Sequence, residues 1–313
     1  MQSRRSCLAV PGSSEKMLAK AQTLDSDMFF LDLEDAVAPS AKVAARTAVV
    51  QALVQGTWGD RIACVRINAY GTPWYADDLK AVIEGAGESL DTIMLPKCSS
   101  PDQVRWLDAT LDELETALGL KSQSIGIELQ IEDARGLTYV DAIAAASPRT
   151  QALHFGPGDF QASMAMPSVS LGQLNPDYPG DILHHVYGRL LVCARAHDLQ
   201  VLDGPYLAIK DLDGLSAAAK RVAAMGFDGK WVLHPDQIAL VNQVFSPSQE
   251  QYDRAELILD AYDFYLSDAG GARGAAMLEG EMIDEASRAM ALVVTSRGRA
   301  AAMVRTSAFT PPE

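Results

Sequence analysis

Short apolar runs recur along the chain with longer helical patterns between them. The strand-like runs fall at residues 7–10, 28–33, 62–67, 92–95, 125–131, 152–155, 201–202 and 231–233. Helical patterns separate them, for example over 40–55, 101–118, 183–197 and 215–225. Alternating strand and helix units imply parallel strands joined by right-handed crossovers. Eight such units close most naturally into a (β/α)8 TIM barrel. A doubly wound open sheet is the competing arrangement, but no Gly-x-Gly-x-x-Gly follows an early strand, which weakens its dinucleotide-binding form.

Beyond the eighth unit the pattern predicts a helix over 249–265, a glycine- and alanine-rich hinge over 268–276 and a last helix over 285–297. The expected division is a catalytic barrel over 1–246 and a C-terminal helical extension and lid over 247–313. The fifth strand carries one further signal. Gly126, Glu128, Gln130 and Glu132 alternate with Ile125, Ile127, Leu129 and Ile131. Period-two alternation puts the polar set on one face, here the barrel interior, with Glu132 nearest the mouth and Glu128 a buried structural acid.

Composition narrows the function classes. Hydrophobic residues make up 48% and charged residues 21%, a globular balance. A net charge of −15 and a pI near 4.7 argue against nucleic-acid binding, which needs a basic footprint. The four cysteines are scattered without a CxxC pair and read as reduced thiols. The apolar run after the N-terminus is too short for a signal or a membrane span, so a cytoplasmic protein is expected.

In such a barrel the chemistry sits at the C-terminal ends of the strands. There the sequence places Glu34 and Asp35 after the second strand, Arg66 at the end of the third, Lys97 after the fourth, Glu132 after the fifth, Asp159 after the sixth and Asp203 after the seventh. Any one acid also reads as a loop acid or a helix N-cap. Gathered at one mouth, they repel unless a cation joins them, and all-oxygen donors suit Mg2+ or Mn2+. Arg66 is expected in an ion pair, with Asp35 as partner, and is suited to stabilise a developing enolate oxygen. The histidines read as structural: His154 as a satisfied core residue, His234 as shaping the mouth, His184 and His185 as surface, and His197 as a residue before the seventh strand.

The segments Ser6-Cys-Leu-Ala-Val-Pro-Gly12, Leu31-Asp-Leu-Glu-Asp-Ala-Val-Ala-Pro39, Val65-Arg-Ile-Asn68, Met94-Leu-Pro-Lys97, Gly156-Pro-Gly-Asp-Phe160, Gly226-Phe-Asp-Gly-Lys-Trp231 and His234-Pro235 occur in order. Together they resemble the citrate lyase β-subunit-like (HpcH/HpaI aldolase/citrate lyase) family, and most of all its malyl-CoA/β-methylmalyl-CoA lyase branch. The resemblance implies a (β/α)8 barrel that acts on coenzyme A thioesters with Mg2+. It implies Glu132 and Asp159 as metal carboxylates and Arg66 as the contact to the reacting carbonyl oxygens, with Glu34 and Asp35 orienting metal waters and Arg66. It further implies a homo-oligomer, a trimer or hexamer, in which the lid residue Asp284 serves a neighbouring subunit's site. Asp284 also reads as the N-cap of the last helix. One departure stands out: Ser14 occupies the place of an expected coenzyme A-binding arginine. Lys16, Lys20, Pro96 and Lys97 are left as the expected contacts to the coenzyme. Two other readings compete with the lyase, a class II pyruvate-type aldolase acting on free 2-oxo acids and a non-catalytic binding protein.

Overall fold

The structure, a computed structural model, describes residues 2–311. Arg4–Phe245 form one compact unit; the chain from Ser246 onward, with the N-terminal residues up to Ser3, forms another.

The first unit runs β1 (Ser6–Pro11), α1 (Glu15–Ala21), β2 (Met28–Asp32), α2 (Lys42–Gln55), β3 (Ile62–Arg66), α3 (Tyr75–Ala86), β4 (Thr92–Leu95) and α4 (Pro101–Leu118). It continues with β5 (Gly126–Ile131), α5 (Ala134–Thr138), α6 (Val140–Ala144), β6 (Thr150–Phe155), α7 (Pro157–Ser163), α8 (His184–Ala196), β7 (Gln200–Asp203), α9 (Leu212–Met225), β8 (Gly229–Val232) and α10 (Pro235–Val244). The strands β1 to β8 are parallel and close into a barrel in sequence order. The TIM barrel expected from the alternation is therefore present.

Period two sorts the strand residues into two cores. Ile127, Leu129, Ile131, Phe155 and Val201 face outward and pack with helix residues such as Leu107, Val140 and Leu190. Cys7, Met28, Phe30, Cys64, Met94, Leu202 and Trp231 fill the interior. Above this apolar plug the same inward positions turn polar. In register, Asp32 lies beside Arg66. The long helices are started by side chains where the chain leaves the barrel: Ser100 caps α4 and His234 caps α10, each followed by proline at the first helical position.

The second unit contains α11 (Gln249–Leu266), β9 (Ala276–Leu278), β10 (Glu281–Ile283) and α12 (Glu285–Ala300). The stretch read as a hinge ends in an antiparallel hairpin, which the sequence pattern missed because its strands are three residues long and mostly exposed. Its turn, Glu279-Gly280, has positive φ at both residues (52° and 90°), the conformation that tight hairpins need. Among the described residues no helix is long and apolar enough to cross a membrane.

Candidate active site

The mouth is organised around Arg66. Its Nε and Nη2 each lie 2.7 Å from the two carboxylate oxygens of Asp32, a fork-to-fork pair with both residues buried. The partner is thus Asp32 and not Asp35, which corrects the expectation from sequence. Asp32 shares the inward parity of Met28 and Phe30, whereas Asp35 lies out on the loop and is exposed. Asp32 also accepts the backbone N–H groups of Glu34 and Ala36 at 2.9 and 3.0 Å, so one carboxylate folds the loop after β2 and fixes Arg66. Burial opposes the charge on Asp32, but Arg66 outweighs it and holds the carboxyl below its usual value. The guanidinium lies over the rings of Phe30 and Trp231 at 5.2 and 5.4 Å.

Glu34, Glu132 and Lys97 complete the inner ring. Glu34 is buried, with Oε1 2.6 Å from the Lys97 ammonium and Oε2 3.3 Å from Arg66 Nη1, yet Oε2 makes no hydrogen bond. Lys97 Nζ also reaches Asp35 at 3.1 Å and lies 4.0 Å from Asp159. Its backbone sits at φ 50°, a left-handed conformation that costs a lysine of the order of 1–3 kcal/mol. That conformation aims its N–H at Glu132 Oε1, 2.6 Å away. Gln130 joins the two halves: it donates to Glu132 Oε2 at 2.5 Å and accepts from Arg66 Nη1 at 3.3 Å. Burial, followed by the charge of Glu34, pushes Glu132 well above the usual carboxylate range, and Asp159 adds to the rise. Burial likewise raises Glu34. Lys97 is raised because Glu34 and Asp35 outweigh its desolvation.

Gly156, between β6 and α7, makes room for this ring. A Cβ there would lie 2.3 Å from Glu132 Oε2 and 2.5 Å from Glu132 Cβ. Asp159 then follows in the first turn of α7, exposed and on the mouth side. Five carboxylates (Asp32, Glu34, Asp35, Glu132 and Asp159) face two fixed cations, Arg66 and Lys97. The negative excess, the Glu34 oxygen left without a hydrogen bond and the all-oxygen donor set fit a hard divalent ion such as Mg2+.

The profile described as HpcH/HpaI aldolase/citrate lyase matches residues 5–235. The chain belongs to the HpcH/HpaI aldolase/citrate lyase family. It is 36% identical to an L-malyl-CoA/β-methylmalyl-CoA lyase of Cereibacter sphaeroides over 295 residues, 91% of each chain. A (3S)-malyl-CoA thioesterase of the same species is 34% identical over 286 residues, 90% of this chain and 89% of the relative. Among solved structures, the CitE protein of Mycobacterium tuberculosis in complex with magnesium, acetoacetate and coenzyme A superposes with a TM-score of 0.70. It shares 31% identity, with 94% of this chain and 97% of that chain covered.

The remaining expected residues of this family member lie outside the inner ring. Asp203 does not join the ring, contrary to the sequence reading: it pairs with the buried ammonium of Lys230 and accepts the N–H of Gly204 at 2.8 Å. Its parity is that of Val201, toward the helices, so the strand-end rule selected the wrong face. Lys16 and Lys20 are exposed on α1, where Ser14, in place of the expected arginine, serves as N-cap. Pro96 is buried beside Lys97. In the second unit Asp284 caps α12 through a reciprocal pair with Ser287, and the Ser287 N–H at 3.0 Å lowers its pKa. Beneath the mouth, His154 accepts from Trp231 Nε1 at 2.7 Å through Nδ1, which leaves Nε2–H to donate to Glu128 Oε2 at 2.8 Å. Arg4 holds the other Glu128 oxygen at 2.8 Å. His154 is thus a neutral, satisfied core residue and Glu128 a structural acid, as the alternation on β5 indicated.

Proposed function

We propose that this family member is a magnesium-dependent carbon–carbon lyase of 3-hydroxyacyl-CoA thioesters of the malyl, β-methylmalyl, citramalyl or citryl type. The products would be acetyl- or propionyl-CoA and a 2-oxo acid. The observation that carries the reading is the acid ring: Glu132, Glu34 and Asp159 crowd one barrel mouth against too few positive charges. In this reading Glu132 and Asp159 hold Mg2+, and Glu34 and Asp35 orient the waters around it. The bound ion supplies Lewis-acid chelation of the hydroxyl and carboxylate oxygens of the oxo-acid half.

The chain's own groups do the rest. Arg66, fixed by Asp32, presents donors to the thioester oxygen as negative charge grows there. Asp284 exchanges the proton at the carbon next to the thioester, and removes it in the condensation direction. On the family resemblance, we assign it to the site of a neighbouring subunit in a homo-oligomer, a trimer or hexamer. Lys16, Lys20, Pro96 and Lys97 are the contacts assigned to coenzyme A. Buried, free cysteines support a cytoplasmic setting.

The test is condensation of acetyl-CoA with glyoxylate in Mg2+ and in chelator. Metal-dependent formation of a new acyl-CoA supports the lyase. Release of free coenzyme A from malyl-CoA without carbon–carbon cleavage would instead match the thioesterase relative. Turnover of free pyruvate and aldehyde that ignores acetyl-CoA would make the chain an aldolase, and no turnover at all a binding protein.

A further inference from the structure

Among the described residues, one group of three metal-type side chains lies away from the mouth, on the outer helical wall. Asp141 of α6, Cys193 of α8 and His197 at the end of α8 bring one donor atom each to within 4.8 Å of one another. Cys193 and His197 are four residues apart, and the His197 N–H donates to the Cys193 carbonyl at 3.2 Å, so the helical turn sets both on one face. The second oxygen of Asp141 is held by Arg189. The first lies 4.0 Å from His197 Nε2. That gap is too long for a hydrogen bond, and wider than the roughly 3.3 Å that separates two ligand atoms around a tetrahedral ion.

We propose that Asp141, Cys193 and His197 form a second metal site, for a borderline-soft divalent ion such as Zn2+, separate from the oxygen-lined mouth. Sulfur, imidazole and carboxylate are the three donor types that zinc takes, and a closing movement on the order of 1 Å brings them to tetrahedral spacing with water as fourth ligand. Arg189 plays the part of an outer partner that orients the ligating carboxylate. Selectivity follows from the thiol. Sulfur is the soft donor that favours a thiophilic ion, which displaces the thiol proton to solvent. Mg2+ does not compete for such a site. The ion would tie α6 to α8, the helices on either side of β6 in the chain, and β6 leads to Gly156 and Asp159. Its expected effect is therefore thermal stability of the barrel wall.

The experiment titrates Co2+ into the full chain after chelator treatment, with excess Mg2+ filling the mouth. The site predicts a thiolate-to-cobalt charge-transfer band that saturates at one ion per chain and is displaced by Zn2+. Cys193→Ser should abolish the band. His197→Gln, which keeps the thiol and replaces a half-exposed side chain, should weaken Co2+ about tenfold or more. His197→Gln should keep the wild-type melting temperature in chelator, and Zn2+ should raise the melting temperature in the wild type alone. Absence of the band in the wild type, or equal Co2+ affinity in wild type and His197→Gln, would overturn the site.

Discussion

The guanidinium of Arg66 is gripped by Asp32 through two parallel contacts of 2.7 Å, while the same carboxylate ties down the N–H groups of Glu34 and Ala36. The residue assigned to the developing charge and the loop bearing Glu34 and Asp35 are thereby fixed by one side chain. Asp32→Ala leaves a buried cation without its partner, and about 3–5 kcal/mol of stability should be lost. Asp35→Asn removes an exposed acid and should change stability by less than about 1 kcal/mol. Urea unfolding of the two variants checks the ranking.

The acid ring makes a prediction in which stability and activity move in opposite directions. Burial and neighbouring acids raise Glu132 and Glu34, so the folded chain binds their protons more tightly than the unfolded chain does. Stability from this source is whole below the unfolded carboxyl value, about 4.3, and is lost as pH rises through the raised folded values. Without metal, the melting temperature should therefore fall as pH rises above that value. Glu132→Gln cannot ionise and should melt above the wild type at neutral pH in chelator, with lyase turnover abolished. Differential scanning calorimetry with chelator, across pH, reads the sign.

At Gly156 the cost is steric. Gly156→Ala drives a methyl group into Glu132, whose Oε2 and Cβ stand 2.3 and 2.5 Å from the new atom. The acid must leave its place, and we expect kcat/KM to fall by about a hundredfold, a size typical of misplaced catalytic geometry. Steady-state kinetics over a range of Mg2+ checks this, and wild-type kinetics would refute it.

Asp284 has two roles to separate. Asparagine caps a helix about as well as aspartate does. Asp284→Asn should therefore keep the melting temperature and lower kcat by about 10²–10⁴, the usual worth of a positioned acid–base group. Asp284→Ala should lose turnover as well as cap stability. Equal kcat in Asp284→Asn and wild type would leave the residue with its cap alone.

How far the sequence reached depended on which physical rule applied. Alternation along β5 gave the inward face of Glu128, Gln130 and Glu132, because a strand packed against helices leaves its polar residues nowhere else to go. The same rule applies to Asp32, whose parity with Phe30 marks it as the inward acid beside Arg66. Parity also separates Asp203, which turns outward to Lys230, from the acids at the mouth. The strand-end rule alone names the height of a residue and not its face. Lys97 was legible as a strand-end base, but its left-handed backbone and its N–H on Glu132 were not, since no glycine or asparagine advertises the turn. The Gly156 clearance, like the meeting of Asp141 with Cys193 and His197, depends on side chains far apart in sequence and emerges only with the closed barrel.

The most direct test of the whole account is the binding of Mn2+, as a paramagnetic stand-in for Mg2+, to chelator-treated protein, followed by the loss of the free-ion resonance. The account predicts one site per chain in the wild type, and its loss in both Glu132→Gln and Asp159→Asn. Undiminished Mn2+ binding in both variants would contradict it.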